Sequence, residues 1–255
     1  MKLIKPSYKI ITPINGEEIL ISVEAAARDC YQSDGKIEII EQHTNIKYKE
    51  YSRLAISARV IIPKLMNLNH EAMLEFGGMI HVRFIVDRGV SHELVRHRVA
   101  SFAQESTRYC NYGKDEHIQF IIPNWLTKLQ ESVITYAIGT DIHDEFVELI
   151  DEKGKTIDYG NDNQGLNLWV ISTLLSEMHY NHLIKDCKWT PQQARSVLPN
   201  SLKTTINISC NIREWRHIFR LRTAKAAHPQ MREVMCPLLD EFKQLIPILF
   251  DDINY

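Results

Sequence analysis

The chain lacks most of the features that announce a function. No run of apolar residues approaches the roughly eighteen that a membrane helix needs, and Met1-Lys2-Leu3-Ile4-Lys5-Pro6 opens the sequence with no apolar segment behind it. The expectation is a cytoplasmic protein, or a nucleocytoplasmic one in a host, without a membrane partner. The five cysteines, Cys30, Cys110, Cys187, Cys210 and Cys236, are odd in number, scattered and never spaced as C-x-x-C. That pattern indicates reduced thiols, and neither a disulfide framework nor a cysteine-held zinc site. Charge of one sign is missing too, since 30 Lys and Arg against 32 Asp and Glu leave a net charge of −2. Such a chain has no surface-wide drive for nucleic acid through counterion release, so its basic residues must act locally. A glycine-rich dinucleotide fingerprint is also absent, Gly77-Gly78 being the only adjacent glycines.

What is present is ample core material. With 44% apolar residues over 255 positions, the chain can bury a sizeable core, as one large domain or two tightly joined ones. The most informative stretch runs from Arg96 to Tyr109. It gathers Arg96, His97, Arg98, Ser101, Ser106 and Arg108 within a short span. Guanidinium matches phosphate bidentately and stays charged at any working pH, so the cluster suits a ligand with phosphates and a hydrogen-bonding ring. A solvated basic helix is the bland alternative.

Taken in order, Tyr8 to Ile14 has strand character and Glu17 to Cys30 has helical spacing in Ile19, Val23, Ala26 and Ala27. Ser33-Asp34-Gly35 breaks that element. A longer helix is expected from about Ile46 to Met66, interrupted near Pro63, and a short element from Glu71 to Phe76. Met79 to Asp87 alternates cleanly and reads as a half-exposed strand. Ser91 is then the expected N-cap of a helix ending around the basic triplet. While such a helix persists, Arg96 and Arg98 lie about 200° apart and serve different neighbours. If the chain beyond runs extended, Ser106 and Arg108 project to one side as a phosphate cradle.

Further on, Gln119 to Ile122 reads as a strand stopped by Pro123, Ser132 to Ile150 as a helix, and Lys153 to Gln164 as a loop. An apolar helix follows from Leu166 to about Ile184. It carries Glu177, His179 and His182, which could share a metal, although no second metal-binding helix with a matching motif exists. Pro191 starts a short helix ending before Pro199, and Thr204 to Ser209 is a strand. From Asn211 a helix places Ile212, Trp215, Ile218 and Phe219 on one arc and Arg213, Arg216, His217 and Arg220 on the adjoining, solvent-facing one. Arg222 falls inside the apolar arc, where an unpaired cation costs several kcal/mol unless an anion or polar ligand meets it, a salt bridge to an internal carboxylate being the alternative. His228-Pro229-Gln230 begins a closing helix that buries Val234, Leu238, Leu239, Phe242 and Leu245.

Arg96-His97-Arg98, followed after seven residues by Ser106 and then Arg108-Tyr109, resembles the motif of the flavin-dependent thymidylate synthases, the ThyX family. Supporting matches lie in order: Ala26-Ala27-Arg28, Asn69-His70-Glu71, Leu74-Glu75, Phe84 to Arg98, Ala194-Arg195 to Leu198-Pro199, and Asn211 through Arg222 to His228. The resemblance spans most of the chain except roughly 32–66 and 111–190, which look variable or inserted.

The resemblance implies an α/β (α+β) protein with a central mixed or antiparallel sheet flanked by helices, one domain over residues 1–255, assembling as a homotetramer with active sites shared between subunits. It implies a methyltransferase of nucleotide biosynthesis that converts dUMP to dTMP, with FAD as cofactor, methylenetetrahydrofolate as carbon donor and NADPH as reductant. By position, Ala72, Arg96, His97, Arg98, Gln104, Asn211, Arg213 and His217 would hold FAD. Glu93, Arg96, Gln104, Glu105, Ser106, Thr107, Arg108, Arg195 and Arg222 would hold dUMP. Arg222 would face the uracil ring and act catalytically by favouring ionisation at N3, and His70 would lie near the flavin ring and folate. No metal is implied.

Some positions depart from the common family pattern: Gln104 for glutamate, Ala103 for asparagine, Glu93 for glutamine, Ala72 for a hydroxyl residue, and two extra residues between Arg222 and His228. No cysteine sits in the context of a folate-only thymidylate synthase nucleophile, so hydride delivery without an obligatory protein nucleophile is expected. Two rival classes are a helical metal hydrolase using Glu177, His179 and His182, and a non-catalytic nucleotide- or nucleic-acid-binding protein.

Overall fold

The structure is a computed structural model and describes residues 1–33, 36–45, 50–114, 116–140, 145–157 and 164–255. The chain begins with β1 (Lys2–Ile4), β2 (Ser7–Ile10), α1 (Gly16–Cys30), β3 (Ile39–Asn45), β4 (Glu50–Ala55) and α2 (Ala58–Asn67). A 3-10 segment (Glu71–Gly77) leads to β5 (Met79–Asp87), α3 (Arg88–Leu94) and β6 (Ser101–Gln104). Then come β7 (Gln119–Ile121), β8 (Ser132–Val133), β9 (Thr135–Thr140), β10 (Glu145–Ile150) and α4 (Gln164–Lys185). The last elements are α5 (Pro191–Ala194), β11 (Lys203–Asn211), α6 (Ile212–Arg222), α7 (Pro229–Leu245) and α8 (Pro247–Phe250). A four-stranded sheet has the order β2-β5-β11-β6. The expected α/β class with a mixed sheet is what the chain adopts.

Two compact units divide the chain. One, here the α1 unit, comprises Tyr8–Arg83, His97–Phe102 and Asn207–Tyr255. The other, the α4 unit, comprises Met1–Ser7, Phe84–Arg96 and Ala103–Ile206.

In the α1 unit, the Asn15 side chain caps α1 by accepting from the Glu18 N–H, and Leu20, Val23 and Ala27 form its buried stripe. The predicted helix over 46–66 is corrected: residues 39–45 and 50–55 pair as an antiparallel hairpin, and Ile46 to Lys49 lie outside the described residues. Only α2 is helical there, and it continues through Pro63 to Asn67. Asn69 then takes the left-handed conformation at φ 58°, and the His70 N–H returns to the Leu65 carbonyl at 2.8 Å. Asparagine tolerates that geometry, so the chain stops helically and delivers His70 at a defined place. Gly77 closes the 3-10 segment where a Cβ would stand 2.6 Å from Ile212 Cγ1 and 3.2 Å from Ile19 Cγ2.

The core of this unit is aromatic. Phe219 and Phe242 lie 5.1 Å apart between centroids, Phe242 and Phe250 also 5.1 Å, and Trp215 donates its indole N–H to the Ile80 carbonyl at 3.0 Å. Edge-to-face contacts of this kind add to the area term. Leu245, expected in this core, is 40% exposed. The arginine placed on the solvent arc, Arg216, is instead fully buried. It pairs bidentately with Asp252 at 2.7 and 2.6 Å and also donates to the Leu249 carbonyl. The buried surface of α6 is wider than one stripe, taking in Glu214 and Arg216 together with the four apolar residues.

In the α4 unit, β1 pairs parallel with β7 and antiparallel with β8, a small mixed sheet. Leu3, Phe120, Ile134, Val170, Leu174 and Tyr180 form its core. The predicted helix over 132–150 is a second correction. Ser132–Val133 is a strand, and β9 and β10 form an antiparallel hairpin, which suits a run carrying Val133, Ile134, Thr135, Tyr136 and Ile138. The predicted loop ends where Gln164 opens α4, and 158–163 lie outside the described residues. Among the described residues, no helix is long and apolar enough to cross a membrane.

Candidate active site

The Arg96–Tyr109 stretch is built differently from its expected form. Asp87, not Ser91, caps α3 by accepting from the Val90 N–H at 2.6 Å. The helix ends at Leu94, so Arg96 lies in a turn and the helical separation of Arg96 and Arg98 does not apply. Ser91 is buried inside α3, where it accepts from Gln104 Nε2 at 2.8 Å. Nor does the chain run extended past β6: Ser106 to Cys110 is a tight turn, with the Cys110 N–H on the Ser106 carbonyl at 2.9 Å.

That turn organises the constellation of the α4 unit. Ser106 Oγ accepts from the Arg108 N–H at 3.2 Å, Arg195 Nη1 donates to Thr107 Oγ1 at 3.0 Å, and Arg108 Nε donates to Gln192 Oε1 at 3.1 Å. The capping box of Thr190 and Gln193 starts α5 and so fixes where Gln192 and Arg195 emerge. Four predicted residues, Ser106, Thr107, Arg108 and Arg195, are thus brought together. Glu105 turns away to Lys203 at 2.9 Å and the Thr205 N–H at 3.3 Å. Burial pushes its carboxyl up, but Lys203, Tyr112 and Thr205 outweigh that and hold it below the usual range. Gln104 spans Ser91 and Thr204, Glu93 is half-buried and Arg96 exposed. Arg88, which donates to the Glu105 carbonyl at 2.9 Å, and Lys203 carried no signal in the sequence.

The α1 unit holds a second constellation. Asn211 caps α6 by accepting from the Glu214 N–H at 2.9 Å. The following turn lines a cavity of about 410 Å³ with Asn211, Arg213, Glu214, His217 and Arg220, faced by Glu71, Glu75 and Val99. Arg213 pairs with Glu75 at 2.6 Å in the open, and Arg220 pairs at 2.8 Å with Glu71, whose side chain is half-buried. Ala72 and Arg98 are exposed, and His70 shares a 2.8 Å hydrogen bond with Tyr31.

His97 is the buried member, 4% exposed. Arg222 Nε donates to its Nε2 at 3.0 Å, and its Nδ1 faces Glu214 Oε1 at 3.6 Å. The ring of His217 stands edge-on at 5.7 Å between centroids. Burial, then the charges of Arg222 and His217, bring the His97 pKa down to about 4, so the imidazole is neutral at pH 7. With Nε2 accepting, the proton sits on Nδ1, toward the carboxylate. Arg222 is therefore half-buried on a histidine rather than facing the core, which corrects its expected place on the apolar arc.

Among the described residues, His97, Glu214 and His217 form the one group close enough to hold a metal, with ligand atoms within 4.8 Å of one another. The tautomer opposes it, because Arg222 occupies one nitrogen of His97 and a proton the other. The rival metal set fares worse. Glu177 is buried against the Met1 ammonium at 2.7 Å and the Ile118 N–H at 3.2 Å, while His179 is exposed and His182 pairs with Asp186 at 2.8 Å.

The family described as thymidylate synthase complementing protein matches residues 15–248. A flavin-dependent thymidylate synthase of Corynebacterium efficiens is 28% identical over 247 residues, covering 95% of this chain and 82% of the relative. One of Mycobacterium marinum is 27% identical over 256 residues, covering 99% and 86%. The crystal structure of the UMP/dUMP methylase PolB from Streptomyces cacaoi, bound with 5-Br dUMP, has a TM-score of 0.68 at 18% identity, covering 98% of this chain and 96% of that one. At that identity the likeness is one of fold.

Proposed function

The chain belongs to the thymidylate synthase complementing protein family, and from that premise we propose that it is a flavin-dependent thymidylate synthase that methylates dUMP at C5. The balanced reaction takes dUMP, methylenetetrahydrofolate, NADPH and a proton to dTMP, tetrahydrofolate and NADP+. Bound FAD supplies the hydride relay between NADPH and the transferred carbon.

The observation that carries the reading is the turn at Ser106. It sets the Thr107 hydroxyl against the Arg195 guanidinium at 3.0 Å, next to Arg108, a donor set that matches a nucleotide monophosphate. Lys203 neutralises Glu105, so that carboxylate does not repel the incoming phosphate.

The donor set of the α6 cavity fits FAD. Arg213 and Arg220 offer cations, and His217 and Asn211 hydrogen-bonding groups, to a pyrophosphate, and Val99, 66% exposed, offers an apolar surface. The Arg213–Glu75 pair is exposed and worth about 0–1 kcal/mol, so a phosphate oxygen displaces that carboxylate at little cost. Arg98 and Ala72 belong to the same unit.

Arg222 acts on the uracil ring, where a guanidinium stabilises the negative charge that develops at N3. His70 serves the flavin and folate side. A homotetramer with active sites shared between subunits completes the assembly, and neither nucleic acid nor a membrane is a partner.

The test is the absorbance spectrum of freshly purified protein, its bleaching by NADPH, and dTMP formation. The expected result is yellow protein, bleached by NADPH, that forms dTMP only with dUMP and methylenetetrahydrofolate together. Colourless protein that stays inactive with added FAD overturns the proposal.

A further inference from the structure

We propose that Glu214 is a positioning residue for Arg222, acting through His97. The inference rests on the reading of Arg222 as the residue that meets the uracil ring.

Three contacts within the α1 unit carry it. Arg222 Nε donates to His97 Nε2 at 3.0 Å, the other ring nitrogen faces the Glu214 carboxylate at 3.6 Å, and the Glu214 backbone N–H is held by Asn211 at 2.9 Å. A neutral imidazole has one N–H and one lone pair, so whichever group fixes the proton on Nδ1 also decides that Nε2 accepts. The approach at 3.6 Å is longer than a hydrogen bond, and the control is therefore electrostatic: a carboxylate beside Nδ1 favours the tautomer that turns its N–H dipole that way. With the other tautomer, an N–H on His97 would oppose the Nε–H of Arg222. Arg222 closes α6, and without this acceptor its guanidinium loses the contact made through Nε.

A purely structural role for Glu214 makes a different demand. An acid in the first turn of a helix favours the macrodipole from any solvent-facing position. Glu214 is instead 7% exposed, and burial, opposed by His217 and Arg213, raises its pKa. A carboxylate serving the dipole alone has no reason to be buried against a histidine.

The experiment has two readouts. Imidazole nitrogen NMR of the whole protein reports the His97 tautomer, its signal identified by loss in His97→Gln. Steady-state kinetics reports kcat/KM for dUMP, alongside flavin content and Tm. The wild type is expected to hold His97 neutral with the proton on Nδ1 at neutral pH. Glu214→Gln, which can present an N–H to the ring, is expected to move the proton to Nε2 and to lower kcat/KM for dUMP about tenfold, the scale of one charge-assisted hydrogen bond, with flavin retained. Glu214→Asp keeps a first-turn acid but withdraws the carboxylate by one methylene, and is expected to remain impaired. Full activity in Glu214→Asp, a Tm and flavin loss parallel to the activity loss in Glu214→Gln, or a wild-type His97 protonated on Nε2 would each overturn the proposal. If Glu214→Gln does not fold, the wild-type tautomer and Glu214→Asp decide. Failure of the wild type to make dTMP overturns the functional reading instead, and the tautomer still settles the Glu214–His97 link.

Discussion

The guanidinium Nε of Arg222 donates to Nε2 of His97 at 3.0 Å. The last residue of α6 is thereby tied to the middle residue of Arg96-His97-Arg98, two positions 125 apart in sequence. The histidine is neutral first because it is buried and then because Arg222 stands beside it, so it accepts from Arg222 without repelling it.

Arg222→Ala is expected to leave a folded, flavin-containing protein whose dUMP affinity falls by about 1.5–3 kcal/mol, the range for a hydrogen bond to a charged group. Titration calorimetry with dUMP on the purified variant checks this. Unchanged affinity and turnover would remove Arg222 from the site.

Acid should weaken the fold through His97. Its ordinary pKa of 6.5 falls to about 4 in the folded protein under burial, Arg222 and His217, with Glu214 facing Nδ1. Between those values the unfolded chain binds more protons, so this contribution is complete above 6.5 and is lost as pH falls toward 4. Its full size is about 3 kcal/mol. Urea unfolding near neutral pH and near pH 5 should show about 2 kcal/mol of that loss in the wild type and a smaller loss in His97→Gln.

The buried Arg216 predicts an asymmetry. Asp252→Ala leaves a fully buried guanidinium short of its bidentate partner and should cost about 3 kcal/mol. Arg216→Met leaves Glu71 and Asp252, which reach solvent at 19% and 46% exposure, and should cost less. Chemical denaturation of the two variants gives the order.

Glu177→Gln should lower Tm by removing the charge that meets the Met1 ammonium at 2.7 Å, with flavin content unchanged. A chelator should leave dTMP formation intact. Chelator-sensitive activity restored by a divalent metal would revive the metal-hydrolase class.

A protein lacking all five cysteines should still turn over. Cys210 is buried and its pKa is raised, first by burial and then by Glu214, the opposite of an activated thiolate. Loss of dTMP formation in a folded, flavin-bound cysteine-free variant would restore a thiol nucleophile.

Much of this architecture was legible where one period dominates. Met79 to Asp87 alternates strictly, and Ile80, Val82, Phe84 and Val86 are buried as that alternation requires. Helices α1, α4, α6 and α7 announce themselves by spacing, and α1 and α6 also by an asparagine before the first turn. The two hairpins failed because their β-branched and aromatic residues alternate with charges that also fit helical spacing, as in Thr135 to Ile150. Arg216 failed for another reason: a wheel assigns one buried half, whereas α6 is covered on more of its circumference. In the site, hydroxyls and arginines near the turn were readable as a motif. The partners that orient them, Glu214, Gln192, Arg88 and Lys203, were not, because single polar or charged residues on helices and strands look alike until tertiary contacts choose among them.

Gly77 has a bearing on how this protein could be altered. With Ile212 Cγ1 at 2.6 Å from the place of a Cβ, even alanine must push the start of α6 away from the segment that carries Glu71 and Glu75. A saturation library at this codon should therefore return glycine almost alone under selection for thymidine-independent growth, whereas the exposed Ala72 should accept many residues. The narrowest tolerance near the cavity falls on a residue with no functional group, which contributes only the room that the Ile212 and Ile19 side chains fill.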